Sequence, residues 1–291
     1  MLFRSGRYPG FFLISKLPSD STWYPAESAN AMAYITKGHK NSRSLIVNPG
    51  HNLEAGKTYL LTMKEDSANN LLKDLTFPLK RWGKARLNPD GFEKHRYRQY
   101  IKVTAINGNE ITTDIPLFRD MMPEFHPELW EADYLVGNVV VAGFHLLSDW
   151  HETFYHHKNS IHDNGWDHIR VRYAVNTCVF SIIHSNTSTA IGLSHSKNCS
   201  VYDCQIRGNP GHNGFVLGGA STANLLFNLK GGQQMHTYTI TGQCTGNVFH
   251  NCWSEEPSAI DCHASVSVNN LFDNIYCATW KHGGNKIGRA S

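Results

Sequence analysis

The sequence has no apolar run approaching the roughly 18 residues that a membrane-spanning helix needs. Its longest early apolar stretch, Phe11 to Ile14, follows Pro9-Gly10 and is too short for a signal-peptide core. No membrane partner is expected. A surplus of charge is also missing: 27 Lys+Arg stand against 24 Asp+Glu, a formal +3. A dedicated nucleic-acid binder carries more, clustered on one face, so no nucleic-acid partner is expected. The seven cysteines include no CxxC, and their odd number without regular spacing points to mostly buried thiols rather than a disulfide or zinc framework. With 41% hydrophobic and 18% charged residues, a disordered or collagen-like chain is excluded.

What the chain has in excess is histidine, 17 residues, most of them after position 144. Imidazole changes charge, binds metals and moves protons near neutral pH. The same part of the chain is repetitive. Between residues 168 and 276 one pattern recurs five times, as HIRVRYAVNTCVFSI, IGLSHSKNCSVYDCQI, FVLGGASTANLLFNL, YTITGQCTGNVFHNC and IDCHASVSVNNLFDNI. Each copy has a short alternating strand, a small polar corner, an aliphatic-aromatic pair and a second strand. The pairs fall at Val179-Phe180, Val201-Tyr202, Leu226-Phe227, Val248-Phe249 and Leu271-Phe272, in steps of 22, 25, 22 and 23 residues.

Such a repeat, without helical periodicity, predicts a parallel β-helix whose coils stack at about 4.8 Å. The usual chirality of parallel crossovers makes it right-handed. Asn176, Asn198, Asn247 and Asn270 are read as corner residues that tolerate left-handed backbone and bond the next coil. Residues 45–118 read as a small antiparallel β subdomain, with a hairpin at Asn107-Gly108. The fold class is therefore all-β: a right-handed parallel β-helix with that subdomain near the N-terminus. The expected divisions are 1–44, an early coil or N-terminal segment; 45–118; and 119–291, the β-helix with its groove. Neither end resembles a solenoid cap, so the chain reads as an excerpt of a longer protein.

If Ile169, Ile191, Phe215, Tyr238 and Ile260 point inward, strand alternation assigns two outward columns. One holds Arg170, Gly192, Val216, Thr239 and Asp261; the next holds Arg172, Ser194, Gly218, Thr241 and His263. Small residues flanked by charge describe a shallow trough suited to an extended polymer. Loops entering these strands add Arg207 and His212, His236, and Glu255 with Glu256. His212, His236, His263 and Asp261 form a candidate imidazole-carboxylate cluster, with Arg170 and Arg172 as cationic groups. The insertion at 151–172 offers Tyr155, His157 and Trp166 as a platform for sugar rings, alongside Glu255, Glu256 and Arg207 as substrate contacts. Metal binding by His156, His157 and His162 was weighed, but their spacing matches no HExxH or comparable set, so no metal site is assigned.

The segments VGNVVVAGF, GWDHIRVRYAVNTCVFSI, RGNPGHNGFVLGG, MHTYTITGQCTGNVFHN and AIDCHASVSVNNLFDNI resemble the pectin-lyase-like superfamily, in particular the pectate-lyase-like proteins of polysaccharide-degrading bacteria. The resemblance covers about residues 132–285. It implies a parallel β-helix, a polysaccharide substrate and work outside the cytoplasm, secreted or periplasmic, with any export signal upstream of Met1. The calcium site and arginine motif of the pectate lyases are absent, so their catalytic assignments are not carried over. What looks similar is the order His236, Asp261, His263. No cofactor is required by these residues, with calcium left open, and oligomeric state is not fixed.

The leading functional expectation is a lyase cleaving a uronate-containing polysaccharide by β-elimination, with an arginine facing the carboxylate, His236 or His263 as base, and a partner His or Tyr238 returning the proton. The alternatives are a glycoside hydrolase using Glu255 or Glu256 with Asp261, and a non-catalytic glycan-binding β-helix of the tailspike or adhesin type.

Overall fold

Short strands with buried alternate residues cannot stand alone, and in this chain each is completed by the equivalent strand one repeat later. The computed structural model describes residues 12–16, 30–78, 94–255, 258–263 and 266–277. The chain divides into two units, residues 22–134 and residues 1–21 with 135–291.

The first unit is an antiparallel barrel. Its strands run in the order Ala33–Gly38, Ser44–Val47, Glu110–Thr113, His95–Asn107, Thr58–Lys64 and Glu128–Glu131, the last pairing back with the first. The hairpin at Asn107-Gly108 is present, with Asn107 opposite Glu110 and Gly108 at φ +57°. The barrel extends beyond 45–118 on both sides, because Ala33–Gly38 and Glu128–Glu131 each complete a ladder. A helix, Asn70–Thr76, buries Leu71, Leu72 and Leu75 in the lysine-containing break between strands.

The second unit is a parallel β-solenoid of about five turns. Its first sheet runs Phe12–Ile14, Asp167–Arg172, Thr189–Ser194, Asn213–Gly218, His236–Thr241 and Ile260–His263. The expected inward column is in register: Ile169 pairs with Ile191, Ile191 with Phe215, Phe215 with Tyr238 and Tyr238 with Ile260. The first four are essentially fully buried. Val140–Ala142 and His145–Leu147 pair with Cys178–Phe180 and Ile183–Ser185, so a coil precedes the first of the five repeats. All seven cysteines are free, and burial pushes the Cys199 and Cys204 thiols up to about 11 and about 12.

The aromatic pairs align differently from the sequence expectation in the last two coils. Val201 stands opposite Leu226, but Leu226 stands opposite Phe249 rather than Val248. Phe249 then stands opposite Phe272. A slip of one position exchanges the faces of a strand. The outer stack Phe180–Tyr202–Phe227, with ring centroids 4.8 Å apart at each step, therefore stops and is continued by His250 and Asp273. Phe249 turns into the core and stacks on Phe272 at 4.9 Å.

The asparagine corners also separate into distinct ladders. Asn176 and Asn198 take left-handed backbone at φ 51° and 52°, and the Asn198 amide donates to Asn176 Oδ1 at 2.7 Å. Asn247 and Asn270 instead continue a second, inner ladder that starts at Asn224. The Nδ2 of Asn224 donates to Asn247 Oδ1 at 2.9 Å, and that of Asn247 to Asn270 Oδ1 at 2.8 Å. Each carboxamide oxygen also accepts a backbone N–H from the coil before, closing the polar groups that a tight corner would strand.

A second polar element inside the solenoid is a histidine pair. His168 and His184 are fully buried, stack at 5.2 Å and share a 3.0 Å Nδ1–Nδ1 hydrogen bond, while His168 Nε2 meets Ser148 Oγ at 2.8 Å. Burial holds His168 down to about 3 and His184 well below the ordinary imidazole value. Both are neutral in the folded chain at neutral pH.

Two outcomes follow from these interior groups. Replacing Asn247 with Ala strands polar groups of Asn224, Asn270 and Ser221, and should cost about 2–4 kcal/mol in a urea titration. Asn251, exposed and linked through its side chain to Asn228 and Asn274, should cost under about 1 kcal/mol when replaced the same way, and equal losses would contradict the distinction between buried and exposed asparagines. For the histidine pair the folded pKa values lie below those of the unfolded chain, so the unfolded state takes up protons first. Stability should fall as pH drops below about 6.5, by up to about 1.4 kcal/mol per pH unit for each ring, with the His168 contribution lost by about pH 3. The urea midpoint at pH 7.5 and pH 5 measures this, and His168→Leu/His184→Leu should flatten the dependence.

Candidate functional site

The chemistry-bearing side chains gather at the edge where chain enters the strands of the first sheet. Adjacent coils are fixed there by backbone: His236 N–H donates to the His212 carbonyl at 2.9 Å, and His236 stands opposite Asn213. Gly211, just before His212, permits the approach, since a Cβ there would lie 2.1 Å from the Thr187 carbonyl oxygen. The rings of His212 and His236 are 5.4 Å apart.

The 151–165 insertion supplies a third ring and a carboxylate. A short helix, Ser160–Asn164, is capped by Asn159, whose Oδ1 accepts from the Ile161 and His162 N–H groups. The helix presents Asp163, which lies 3.6 Å from His212 Nδ1 and 3.1 Å from His157 Nδ1. His156 packs against both cluster rings, 4.9 Å from His212 and 5.7 Å from His236. On the far side, Asp261 Oδ2 lies 3.7 Å from His236 Nδ1.

The electrostatics follow from this packing. Burial holds His212 below the ordinary imidazole value against the pull of Asp163. Burial alone would raise the Asp163 carboxyl, but hydrogen bonds from the His157 side chain and backbone outweigh it and hold it below the usual range. His236 and Asp261 are 5% and 3% exposed, so the cluster opens to solvent through His156 and His212.

Several residues read from the sequence stand elsewhere. His263 is opposite Thr241, five positions along the strand from His236, which separates their backbones by about 16 Å. Arg170 is three ladder steps from His236 and in the column of Thr239, three positions along, which separates their backbones by about 17 Å. Its guanidinium grips buried Asp167 and lies across Gly192, filling part of the expected trough. Arg172, at the far end of the same strand, lies over the Tyr173 ring at 5.5 Å. Tyr238 is inside the coil, its hydroxyl donating to the Trp253 carbonyl at 2.6 Å, so it does not reach a substrate.

The expected binding residues are also divided. Tyr155 is exposed on the insertion, with Lys158 over its ring, and His157 is exposed beside Asp163. Trp166 is half-buried, held by its backbone N–H on Ser188 Oγ. Arg207 is exposed on another sheet, bonded to Gln205. Glu255 is exposed at the corner after Ser254, and Glu256 lies outside the described residues. His162, weighed as a metal ligand, is buried inside the insertion, where Nδ1 accepts the Tyr155 N–H.

Sequence reasoning missed Asp163 and the place of His156. The available signal was position: the insertion precedes the strand Asp167–Arg172 as Gly211-His212 precedes Asn213–Gly218, so stacking brings both to one edge. Among the described residues, His156, His212 and His236 are the group able to hold a metal, each offering a ring nitrogen, all within 4.8 Å of one another.

No protein family and no curated protein matches this sequence. The fold is similar to that of solved phage tailspikes. The tailspike gp49 of Pseudomonas phage LKA1 shares 13% identity at a TM-score of 0.47, over 84% of this chain and 41% of that one. Tailspike gp54 of Acinetobacter baumannii bacteriophage AP22, solved with A. baumannii capsular saccharide, shares 11% at 0.44, over 86% and 46%. Tailspike gp61 of Pseudomonas phage phi297 shares 12% at 0.43, over 84% and 46%. The chain spans less than half the length of each of these structures.

Proposed function

We propose that this chain is a carbohydrate-binding β-solenoid that holds an extended polysaccharide across the first sheet and cleaves it at the His156/His212/His236 cluster. The observation that carries this reading is the pairing of two adjacent imidazoles with separate carboxylates, His212 with Asp163 and His236 with Asp261, at an edge built from four segments separate in sequence. A carboxylate at ion-pair distance from each ring favours the protonated imidazole, and so supports a ring that takes up a proton.

β-Elimination on a uronate polymer uses such groups. A base takes the proton from the sugar carbon next to the carboxylate, a carbon–carbon double bond forms, the bond to the glycosidic oxygen breaks, and that oxygen takes up a proton. His212, the more open of the two rings, meets the substrate, with His236 behind it. Hydrolysis by Glu255 and Asp261 is less favoured, because Asp261 at 3% exposure lies behind His236 and cannot flank a bound sugar.

Retention of glycan without cleavage is the second reading. It is favoured by Trp253 and Tyr276, 42% and 60% exposed and stacked with 6° between their planes on another sheet, an apolar shelf of the size of sugar rings.

The test is incubation with a panel of acidic and neutral polysaccharides, read at once by ultraviolet absorbance and by new reducing ends. The expected product is an unsaturated, absorbing end, with His212→Ala lowering the rate by about 10²–10⁴-fold. Reducing ends without absorbance would replace elimination by hydrolysis. A polymer bound but recovered intact would leave the retention reading.

A further inference from the structure

A negatively charged sugar held at the cluster needs a positive charge facing it, and neither arginine of the first sheet supplies one: the Arg170 backbone is about 17 Å from that of His236 and its side chain is committed to Asp167, and Arg172 lies at the opposite strand end. What the structure gathers there instead is three imidazoles. We propose that His156, His212 and His236 form a binding site for one divalent transition-metal ion of the zinc class.

The geometry is that of an open site. The three ring nitrogens lie within 4.8 Å of one another. Nitrogens on a tetrahedral ion stand roughly 3.3 Å apart at bond lengths of about 2.0–2.1 Å, so closure needs side-chain rotation of about an ångström. His236 is buried, His212 half-buried and His156 exposed, so the ligands line one wall and the fourth position faces solvent, the pattern of catalytic rather than structural zinc.

The surroundings of the rings are those of metal ligands. Asp163 lies 3.6 Å from Nδ1 of His212 and Asp261 3.7 Å from Nδ1 of His236, so each of these rings has a carboxylate beside it. A small rotation that brings the carboxylate onto a ring N–H would fix the tautomer and raise the basicity of the other nitrogen. Three neutral nitrogen donors select zinc, cobalt, nickel or copper and not calcium, which takes oxygen ligands. Ligation and proton transfer draw on the same lone pairs, so an ion held by His156, His212 and His236 would engage the rings that otherwise take up a proton and would supply Lewis acidity in their place.

The inference does not depend on glycan cleavage, and its test reads metal directly. The full chain is stripped with chelator and titrated with Zn²⁺ by equilibrium dialysis, and with Co²⁺ by visible absorption. Uptake of one ion per chain is expected, with the intense cobalt bands of four- or five-coordination. His156→Ala, on the exposed insertion, should weaken binding at least about 10-fold, and His156→Ala/His212→Ala should abolish it. Asp163→Asn should weaken it about 10–100-fold. His250→Ala, a control that removes an exposed histidine paired with Asp273, should leave it unchanged. No saturable uptake, or uptake with equal affinity by His156→Ala, overturns the proposal. Uptake with no glycan cleaved removes the glycan reading and keeps this one; cleavage by stripped protein that takes up no metal does the reverse.

Discussion

The backbone ladder between successive coils is the constraint on which everything else in the solenoid depends. Each strand of the first sheet is three to six residues long, too short to persist alone, and donates and accepts its hydrogen bonds sideways to its neighbours. Once that ladder is in register, side chains fall into columns. Ile169, Ile191, Phe215 and Tyr238 become one apolar column, and Asn224, Asn247 and Asn270 one polar ladder. The core is a set of such lines, each satisfied along the axis before it is satisfied across it.

The same constraint makes the candidate site. Residues 156, 212 and 236 are remote in sequence, yet His236 is tied by its N–H to the His212 carbonyl, and the 151–165 insertion returns to the same edge because it too leads into a strand of that sheet. The insertion differs from the other corners in length, and that difference lets it carry a capped helix with Asp163 and place His156 across the neighbouring rings. The regular part of the fold provides two imidazoles and Asp261. The irregular part provides the third imidazole and the second carboxylate.

Much of this was legible from residue order. Alternation along the first strands assigned the inward column correctly, because burial on one face is enforced at every second position. The pairing of His212 with His236 followed from a spacing of about one repeat. Where reading failed, the physical reasons are specific. The aliphatic-aromatic motif aligns by its letters, but the chain pairs Leu226 with Phe249, and a one-position slip moves the ring from the outer face to the core, where it stacks on Phe272. His263 was grouped with His236 because both belong to consecutive coils; register places them at opposite ends of their strands. Arg170 looked free to meet a substrate until its buried partner, Asp167, three residues earlier, was seen to hold it.

The alignment of coils, including the one-position shift after Phe227, is tested most directly by paired cysteines on the outer face, analysed for intramolecular disulfide by mass spectrometry after mild oxidation. Register neighbours lie within the Cα separation of about 4.4–6.8 Å that a disulfide spans. Phe227→Cys with His250→Cys should cross-link, because those positions are opposite one another and both face outward. Phe227→Cys with Phe249→Cys should not, because Phe249 points into the core. The reverse result would contradict the register of the coils and the one-position shift that turns Phe249 into the core.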